Sequence, residues 1–155
     1  IHKIRERSPS IAFRTTRLGG FPNETQNDCD ELKRFAEDMR FDRLGVFTYS
    51  HEEDTRAHGF EDNIPQEIKE QRAAELMRLQ EGISLELNQK KVGKEFKVLF
   101  DRKEGGYFIG RTEYDSPEVD NEVLIDASKN YVRVGDFANV KVTRAEEFDL
   151  YGELV

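Results

Sequence analysis

The most constraining feature of the sequence is a change of pattern near residue 92. From there to residue 155, short apolar segments alternate with turn residues, and no stretch has the spacing of an amphipathic helix. The apolar segments are residues 96–100, 107–109, 123–125, 137–142 and 148–155. Five short strands without a helix between them predict a small antiparallel β-barrel over residues 92–155, similar to an OB-fold.

Residues 1–63 have a different pattern, in which a helix lies between two apolar segments. Segments 11–18 and 41–49 are typical of strands, and a helical apolar stripe lies between them: Cys29, Leu32, Phe35, Ala36 and Met39. Thr25 and Asp28 have the spacing of a capping box at the start of this helix. A strand–helix–strand unit predicts parallel strands with a crossover helix. The predicted fold class is therefore α/β followed by all-β.

A long helix is predicted to connect these parts over residues 64–91. Pro65 suits its first turn, and Ile68, Leu76 and Leu79 mark an apolar face. The opposite face is predicted to be solvated; its charged residues are Glu67, Lys69, Glu70, Arg72, Glu75 and Arg78. The chain begins in what reads as the end of a helix, so we expect it to be a piece of a longer protein.

Charge limits the classes of partner. The chain has 24 basic and 32 acidic residues, a net charge of −8, and residues 94–155 hold nine lysines and arginines against fourteen acids, a net charge of −5. Nonspecific nucleic-acid affinity comes mainly from cationic side chains, so tRNA is the weaker alternative and a basic protein partner is favoured. The sequence also lacks a membrane-length apolar run and a signal peptide. We expect a soluble, cytoplasmic, monomeric chain.

Candidate chemical groups are few. His51 and His58 lie in an acidic loop, but their spacing matches no established metal motif, so a solvated loop is favoured and no metal site is predicted. Cys29, the single cysteine, lies on the apolar stripe and is interpreted as a buried structural thiol. Residues 19–25 follow a strand and precede a helix, where parallel folds bind ligands. Their spacing matches neither a P-loop nor a dinucleotide-binding motif, so a plain tight turn is favoured over a ligand-binding turn by spacing alone.

Several motifs resemble the radical-SAM methylthiotransferases, over essentially the whole chain. They are residues 14–16, residues 20–22 followed by Glu24 and Thr25, residues 43–46, residues 110–120, residues 135–137 and residues 149–152. Within that family the match is closest to the type that modifies a ribosomal protein. The barrel is similar to the TRAM domain that ends these enzymes. The resemblance implies the last third of a radical-SAM (TIM-like) β/α barrel at 1–63, a connecting helix at 64–91 and a TRAM barrel at 92–155.

The resemblance also implies cofactors and a substrate for the parent protein. It implies S-adenosylmethionine (SAM), two 4Fe–4S clusters, and an aspartate on protein S-twelve of the small ribosomal subunit. Both clusters of the family are held by cysteines, which this chain lacks apart from Cys29. The chain alone is therefore predicted to hold no cofactor, to contain no catalytic residue and to be inactive. Its expected task is substrate docking by the acidic barrel.

Six residues are predicted to lie near SAM in the parent: Gly20, Phe21, Pro22, Glu24, Tyr49 and Ser50. Two residues depart from the family pattern, since Arg17 stands where an apolar residue is usual and Asn23 where glycine is usual. Two alternatives stay open. One is the tRNA-modifying branch of the family, with an RNA-binding TRAM domain, and the other is a stand-alone binding module without chemistry.

Overall fold

The chain forms two compact units with separate hydrophobic cores. The computed structural model describes residues 1–117 and 119–155, so Glu118, inside the motif at 110–120, lies outside the described residues. The units are Ile1–Ile83 and Ser84–Val155. Among the described residues, none of the helices has the length and apolar character to cross a membrane. The three-part division by sequence stays a prediction.

The first unit contains the predicted strand–helix–strand arrangement. Its elements are α1 (His2–Arg7), β1 (Arg14–Gly19), α2 (Gln26–Met39), β2 (Arg43–Thr48), a 3-10 helix (Arg56–Gly59) and the first part of α3 (Gln66–Gln89). β1 and β2 pair in parallel over their whole length, with Arg14 opposite Arg43 and Gly19 opposite Thr48. β1 begins later than predicted because the Phe13 N–H donates to the Asp42 carboxylate instead of to the ladder.

Local signals explain where α2 begins and ends. The Thr25 side chain accepts from the Asp28 N–H while the Asp28 carboxylate accepts from the Thr25 N–H, which confirms the predicted capping box. The helix ends at Met39, and its C-cap residue, Arg40, has a left-handed backbone (φ 46°) while its N–H still donates to the Ala36 carbonyl oxygen. The apolar face of α2 joins a core formed by four buried residues: Ala36, Phe41, Leu44 and Leu76.

The second unit is a closed five-stranded barrel, as predicted. Its strands are β3 (Glu95–Glu104), β4 (Tyr107–Arg111), β5 (Glu122–Asp126), β6 (Phe137–Ala145) and β7 (Asp149–Leu154). The strand order is β3-β4-β5-β7-β6, and β6 pairs with β3 to close the barrel. Alternate residues of the strands point inward, and the fully buried ones include Val98, Phe100, Ile125, Val140 and Leu150.

The prediction of a wholly antiparallel barrel was wrong for one pair of strands. β5 and β7 pair in parallel, with Val123 opposite Leu150, while the other four pairings are antiparallel. The cause is the closure of the barrel. β6 crosses to the free edge of β3, so β7, which returns antiparallel to β6, runs in the same direction as β5 when it fills the remaining gap.

Candidate functional site

The carboxyl ends of the two parallel strands form one edge, which carries most of the predicted site residues. The turn from Gly20 follows β1, and Tyr49 follows β2. The Tyr49 N–H donates to the Gly19 carbonyl oxygen at 2.9 Å, which ties the two strand ends together. The structure thus places Gly20, Phe21, Pro22, Glu24 and Tyr49 side by side. We call this group the strand-end edge.

Ser50 is not part of this cluster, although it follows Tyr49 directly. Its side chain is exposed, and its hydroxyl donates to the Glu52 carboxylate at 2.6 Å. Pro22 is buried beneath the turn, whereas its neighbour Phe21 is exposed. Of the six predicted residues, Ser50 is therefore the one whose side chain is engaged away from the others.

Gly20 has a backbone that a side chain would disturb. Its φ is +75°, in the left-handed region, and a β-carbon there would lie 2.3 Å from Cγ of Lys69. The Gly20 N–H donates to Oε2 of Glu24 at 3.0 Å, across the turn. The glycine is therefore required both by conformation and by the close approach of a helix side chain.

Both oxygens of the Glu24 carboxylate accept hydrogen bonds. Its Oε1 accepts from Nη1 of Arg72 at 2.8 Å, and the same nitrogen donates to the Glu24 carbonyl oxygen at 3.1 Å. Both side chains are largely buried, with 11% and 14% of their surface exposed for Arg72 and Glu24. Because one oxygen serves Gly20 and the other serves Arg72, Glu24 fixes the shape of the turn.

Aromatic rings form the exposed surface of the edge. Phe21, 39% exposed, packs edge-on against Tyr49 with ring centroids 5.3 Å apart, and it lies 6.1 Å from the ring of Phe60. Phe60 is half exposed, while Tyr49 is buried. Exposed aromatic faces beside backbone N–H and C=O groups are suited to stack against a flat ring and to hydrogen-bond its edge.

The predicted solvated face of α3 was wrong for Lys69 and Arg72. Only 3% of the Lys69 side chain is exposed, and its ammonium donates to Oδ2 of Asp62 at 2.7 Å and to the Tyr49 carbonyl oxygen at 3.3 Å. Their spacing of three residues places them on one side of the helix. The spacing of these two residues was visible in the sequence. Their burial was not, because the acceptors that make it favourable come from distant segments.

Both departures from the family pattern are accommodated. Asn23 adopts φ +69°, the conformation that a glycine would take, and its side-chain amide oxygen accepts from Nδ2 of Asn63 at 2.9 Å. Arg17 is half-buried, and its guanidinium lies over the rings of Phe35 and Phe41, 5.1 and 5.8 Å from their centroids. The Asn23 backbone therefore adopts the left-handed turn without a glycine, and aromatic faces lie against the Arg17 guanidinium, whose buried Nε has no hydrogen-bond partner among the described residues.

The acidic loop after β2 holds both histidines close together. The ring centroids of His51 and His58 lie 4.4 Å apart, with an angle of 34° between the ring planes. Nδ1 of His51 lies 3.2 Å from the Tyr49 hydroxyl oxygen. Sequence spacing did not predict this contact. Over residues 1–117 and 119–155, no group of three or more His, Cys, Asp or Glu side chains is arranged to hold a metal ion.

Cys29 is buried as predicted, and burial raises the pKa of its thiol.

Two of the cavities on the described surface of the barrel share Arg111. One, of about 360 Å³, is polar and lined by residues that include Asp101, Arg102 and Glu122. The other, of about 400 Å³, is lined by residues that include Leu99 and Phe137.

The arginines at these cavities have acidic neighbours. Arg102 pairs with Glu104 and Glu122 at 2.9 and 2.8 Å, and Arg111 lies 3.5 Å from Asp101. Cations that are already paired offer less attraction for phosphate groups, so the local geometry agrees with the negative net charge of the barrel.

Comparisons with known proteins match the whole chain. Residues 92–155 match the model of the TRAM domain. The chain is 65% identical over 155 residues to a ribosomal protein uS12 methylthiotransferase RimO of Cytophaga hutchinsonii, covering 100% of this chain and 36% of that protein. The proteins of the same name from Christiangramia forsetii and Phocaeicola vulgatus are 56% and 54% identical, covering 99% and 100% of this chain and 34% and 36% of theirs.

The chain spans about a third of the length of the curated relatives that it matches. The similarity nevertheless runs through both units, including the strand-end edge and the barrel. Over its whole length this chain is therefore similar to the C-terminal, TRAM-containing part of proteins named ribosomal protein uS12 methylthiotransferase.

Proposed function

We propose that this chain serves as the C-terminal part of an enzyme that uses SAM to methylthiolate an aspartate of ribosomal protein uS12. The observation that carries the proposal is the 65% identity over the full chain to a methylthiotransferase named for that substrate. A ribosomal-protein substrate places this activity in the cytoplasm. In this proposal, the first unit contributes one edge of the SAM site and the barrel binds the protein substrate.

The strand-end edge fits the adenosyl group of SAM. Phe21 offers an exposed aromatic face for the adenine ring, and the turn at Gly20 brings backbone groups close to the same place. Glu24 and Tyr49 position these groups, since the Glu24 carboxylate anchors the turn and the Tyr49 N–H ties it to β2. When bound, SAM supplies the methyl group of the reaction. The residues of this chain bind and orient it.

The iron–sulfur clusters do not fit this chain. A cluster of the family needs three cysteine thiolates, whereas the chain has one cysteine, Cys29, which is 5% exposed and lies on the apolar face of α2. Its raised thiol pKa also disfavours the thiolate that binds iron. The proposal therefore assigns cluster binding to the part of the protein outside this chain.

The barrel suits a basic protein partner better than RNA. It carries nine basic and fourteen acidic residues from 94 to 155, a net charge of −5. A negative surface speeds the encounter with a positively charged ribosomal protein, and the attraction weakens as salt screens it. The alternative, a tRNA-modifying enzyme, would need free cations for phosphate, and the arginines at the two barrel cavities have acidic neighbours.

A binding titration tests the docking role. The 155-residue chain is titrated with purified uS12, with bulk tRNA and with lysozyme, a basic protein of unrelated sequence, at 50 and 200 mM salt. We expect uS12 to bind more tightly than both other ligands and its affinity to fall at the higher salt. Preferential binding of tRNA would favour the tRNA branch. Equal binding of uS12 and lysozyme would reduce the docking to nonspecific attraction.

A second experiment tests the enzymatic assignment. The full-length protein that carries this chain, with its clusters reconstituted, is incubated with SAM and uS12, and the mass of uS12 is measured. An added methylthio group on one aspartate is expected. Unmodified uS12, with modified tRNA in a parallel reaction, would transfer the assignment to the tRNA-modifying branch. A native gene product that starts near Ile1 would instead support a stand-alone binding module.

A further inference from the structure

Lys69 is a buried cation to which the proposed function gives no direct role. Its side chain is 3% exposed, although lysine is almost never fully buried without a partner. Its ammonium donates to Oδ2 of Asp62 at 2.7 Å and to the Tyr49 carbonyl oxygen at 3.3 Å, and it lies 5.0 Å from the centroid of the Tyr49 ring. One side chain of α3 thus holds both the end of β2 and the loop that precedes α3.

The aliphatic stem of Lys69 supports a third segment. A β-carbon on Gly20 would lie 2.3 Å from Cγ of Lys69, 2.9 Å from its Cβ and 3.0 Å from its Cδ. The turn after β1 therefore rests directly on the methylene groups of the lysine. Head and stem together contact both segments of the strand-end edge, the turn at Gly20 and the residue Tyr49, and also the loop at Asp62.

A contribution to stability alone does not account for this arrangement. Burying an ion pair removes both charges from water, and well-packed apolar residues in its place are often as stable or more stable. A lysine, in contrast, places a directional donor at the Tyr49 carbonyl oxygen while it fills the space under Gly20. The donor fixes the position of the strand end relative to the turn, which an apolar side chain of similar length cannot do.

We propose that Lys69 is a positioning residue, which sets the spacing between the Gly20 turn and the Tyr49 strand end so that the strand-end edge is ready for its ligand. The identity of that ligand, SAM, rests on the proposed function, whereas the positioning itself rests on the contacts above. Arg72, one helical turn further along α3, holds the other end of the same turn through Glu24.

Hydrogen exchange in the 155-residue chain tests the positioning without any ligand. Lys69→Met keeps the stem and removes the donor. The Gly20 N–H, which donates to Glu24 across the turn, and the Tyr49 N–H, which donates to Gly19 between the strand ends, are each expected to exchange at least tenfold faster. The N–H of Arg40, at the far end of α2, should keep its protection.

Lys33→Met is the matched control. Among the described residues, Lys33 forms ion pairs of 2.9 Å with Asp30 and with Glu75 of α3, and neither partner belongs to the strand-end edge. Its loss should lower overall stability and leave the relative protection of Gly20 and Tyr49 unchanged. Where Lys69→Met does not fold, Asp62→Asn replaces it, because this variant removes the counter-charge and leaves the lysine in place. It is expected to reduce protection mainly at Tyr49.

SAM affinity separates positioning from a merely structural role. In the full-length protein, well below its unfolding temperature, Lys69→Met is expected to raise the Kd for SAM at least fivefold and Lys33→Met to leave it unchanged. Unaltered protection in Lys69→Met, or lost protection with an unaltered Kd, overturns the proposal. If the unsubstituted full-length protein binds no SAM, the proposed function fails, and the exchange experiment alone then decides whether Lys69 positions the edge.

Discussion

At Gly110, in β4, the backbone of β3 lies so close that a β-carbon would come within 2.4 Å of the Leu99 carbonyl oxygen. Backbone atoms of a paired strand cannot move aside without opening the ladder. Gly110→Ala is therefore expected to lower the free energy of unfolding of the barrel by about 1–3 kcal/mol, as overpacked cores do. Chemical denaturation followed by amide signals of the barrel measures the change.

Gly82 provides the opposite case within a helix. It lies in α3, and among the described residues no atom outside the adjacent positions and the backbone of that helix comes within 4 Å of the position that a β-carbon would occupy. Gly82→Ala should raise the free energy of unfolding by about 0.5–1 kcal/mol, since alanine is the better helix former. A loss of stability in both variants would contradict the assignment of the Gly110 effect to close packing.

Asp149 makes the stability of the barrel depend on pH. Burial raises the pKa of its carboxyl above the ordinary 3.8, and the nearby Glu122 and Glu146 raise it further. The folded state thus binds this proton more tightly than the unfolded chain does. The residue destabilises the fold at neutral pH, and this destabilisation is relieved as the pH falls through the folded-state pKa and below the unfolded value.

Asp149→Asn is accordingly expected to stabilise the barrel at pH 7 by less than about 1 kcal/mol, because solvent screens part of the repulsion. The gain should disappear below the unfolded pKa, where the original aspartate is itself protonated. Thermal unfolding of both proteins between pH 3.5 and pH 7 measures the difference. A gain of equal size at both ends of that range would exclude the carboxyl charge as its cause.

Among the elements, α2 depends most visibly on its first residues. Hydrogen bonds from the backbone and side chain of Thr25 lower the pKa of Asp28. Thr25→Ala removes the cap and should reduce the free energy of unfolding of the first unit by about 1 kcal/mol. Because a lowered carboxyl pKa contributes stability that is lost as the pH falls, the difference between the variants should shrink in acid. Thr25→Ser, which keeps the hydroxyl, should remain close to the original stability.

Local patterns predicted the elements well, and long-range contacts explain what they missed. The apolar stripe and capping box located α2, and alternation with turn residues located all five barrel strands. The parallel pairing of β7 escaped prediction because it follows from barrel closure by β6, far along the chain. Strand order in a barrel is fixed by which edge remains free, and local propensity carries no information on that.

At the strand-end edge, too, local patterns predicted some features and long-range contacts determined the others. The turn at Gly20 and its neighbours could be placed from the order of elements, since parallel strands end at one edge. The burial of Lys69 could not, because a lysine on a helix face is favourable inside only when acceptors reach it, and its acceptors belong to Tyr49 and Asp62. Sequence periodicity therefore predicts such a charged residue to be exposed, even where tertiary contacts bury it within a site.

The two units of the whole molecule differ in how they satisfy their backbone groups. In the described part of the first unit, the sheet has two strands, so each strand has one unpaired edge. The five strands described in the second unit form a closed barrel, so none of these strands has a free edge. We therefore expect limited proteolysis to degrade the first unit faster and to leave a resistant product that contains residues 92–155.

The resistant product should extend into α3, because residues of this helix donate hydrogen bonds to the turn between β6 and β7. The Ser84 hydroxyl donates to the Glu147 carbonyl oxygen at 2.5 Å, and the Asn88 amide donates to the carbonyl oxygens of Glu146 and Glu147 at 2.9 and 3.1 Å. Removing residues 84–91 leaves these carbonyl groups without those donors. Each hydrogen bond to a protein donor contributes on the order of 1 kcal/mol.

Residues 84–155 are accordingly expected to fold alone with a higher Tm than residues 92–155, by several degrees for about 1–2 kcal/mol in a domain of this size. Thermal unfolding of the two segments, followed by circular dichroism, measures the difference. Asn88→Ala in the longer segment should reproduce much of this decrease in Tm, since it removes two of the bonds at once. Equal Tm values for the two segments would mean that the barrel is complete at residue 92 and that α3 serves the first unit alone.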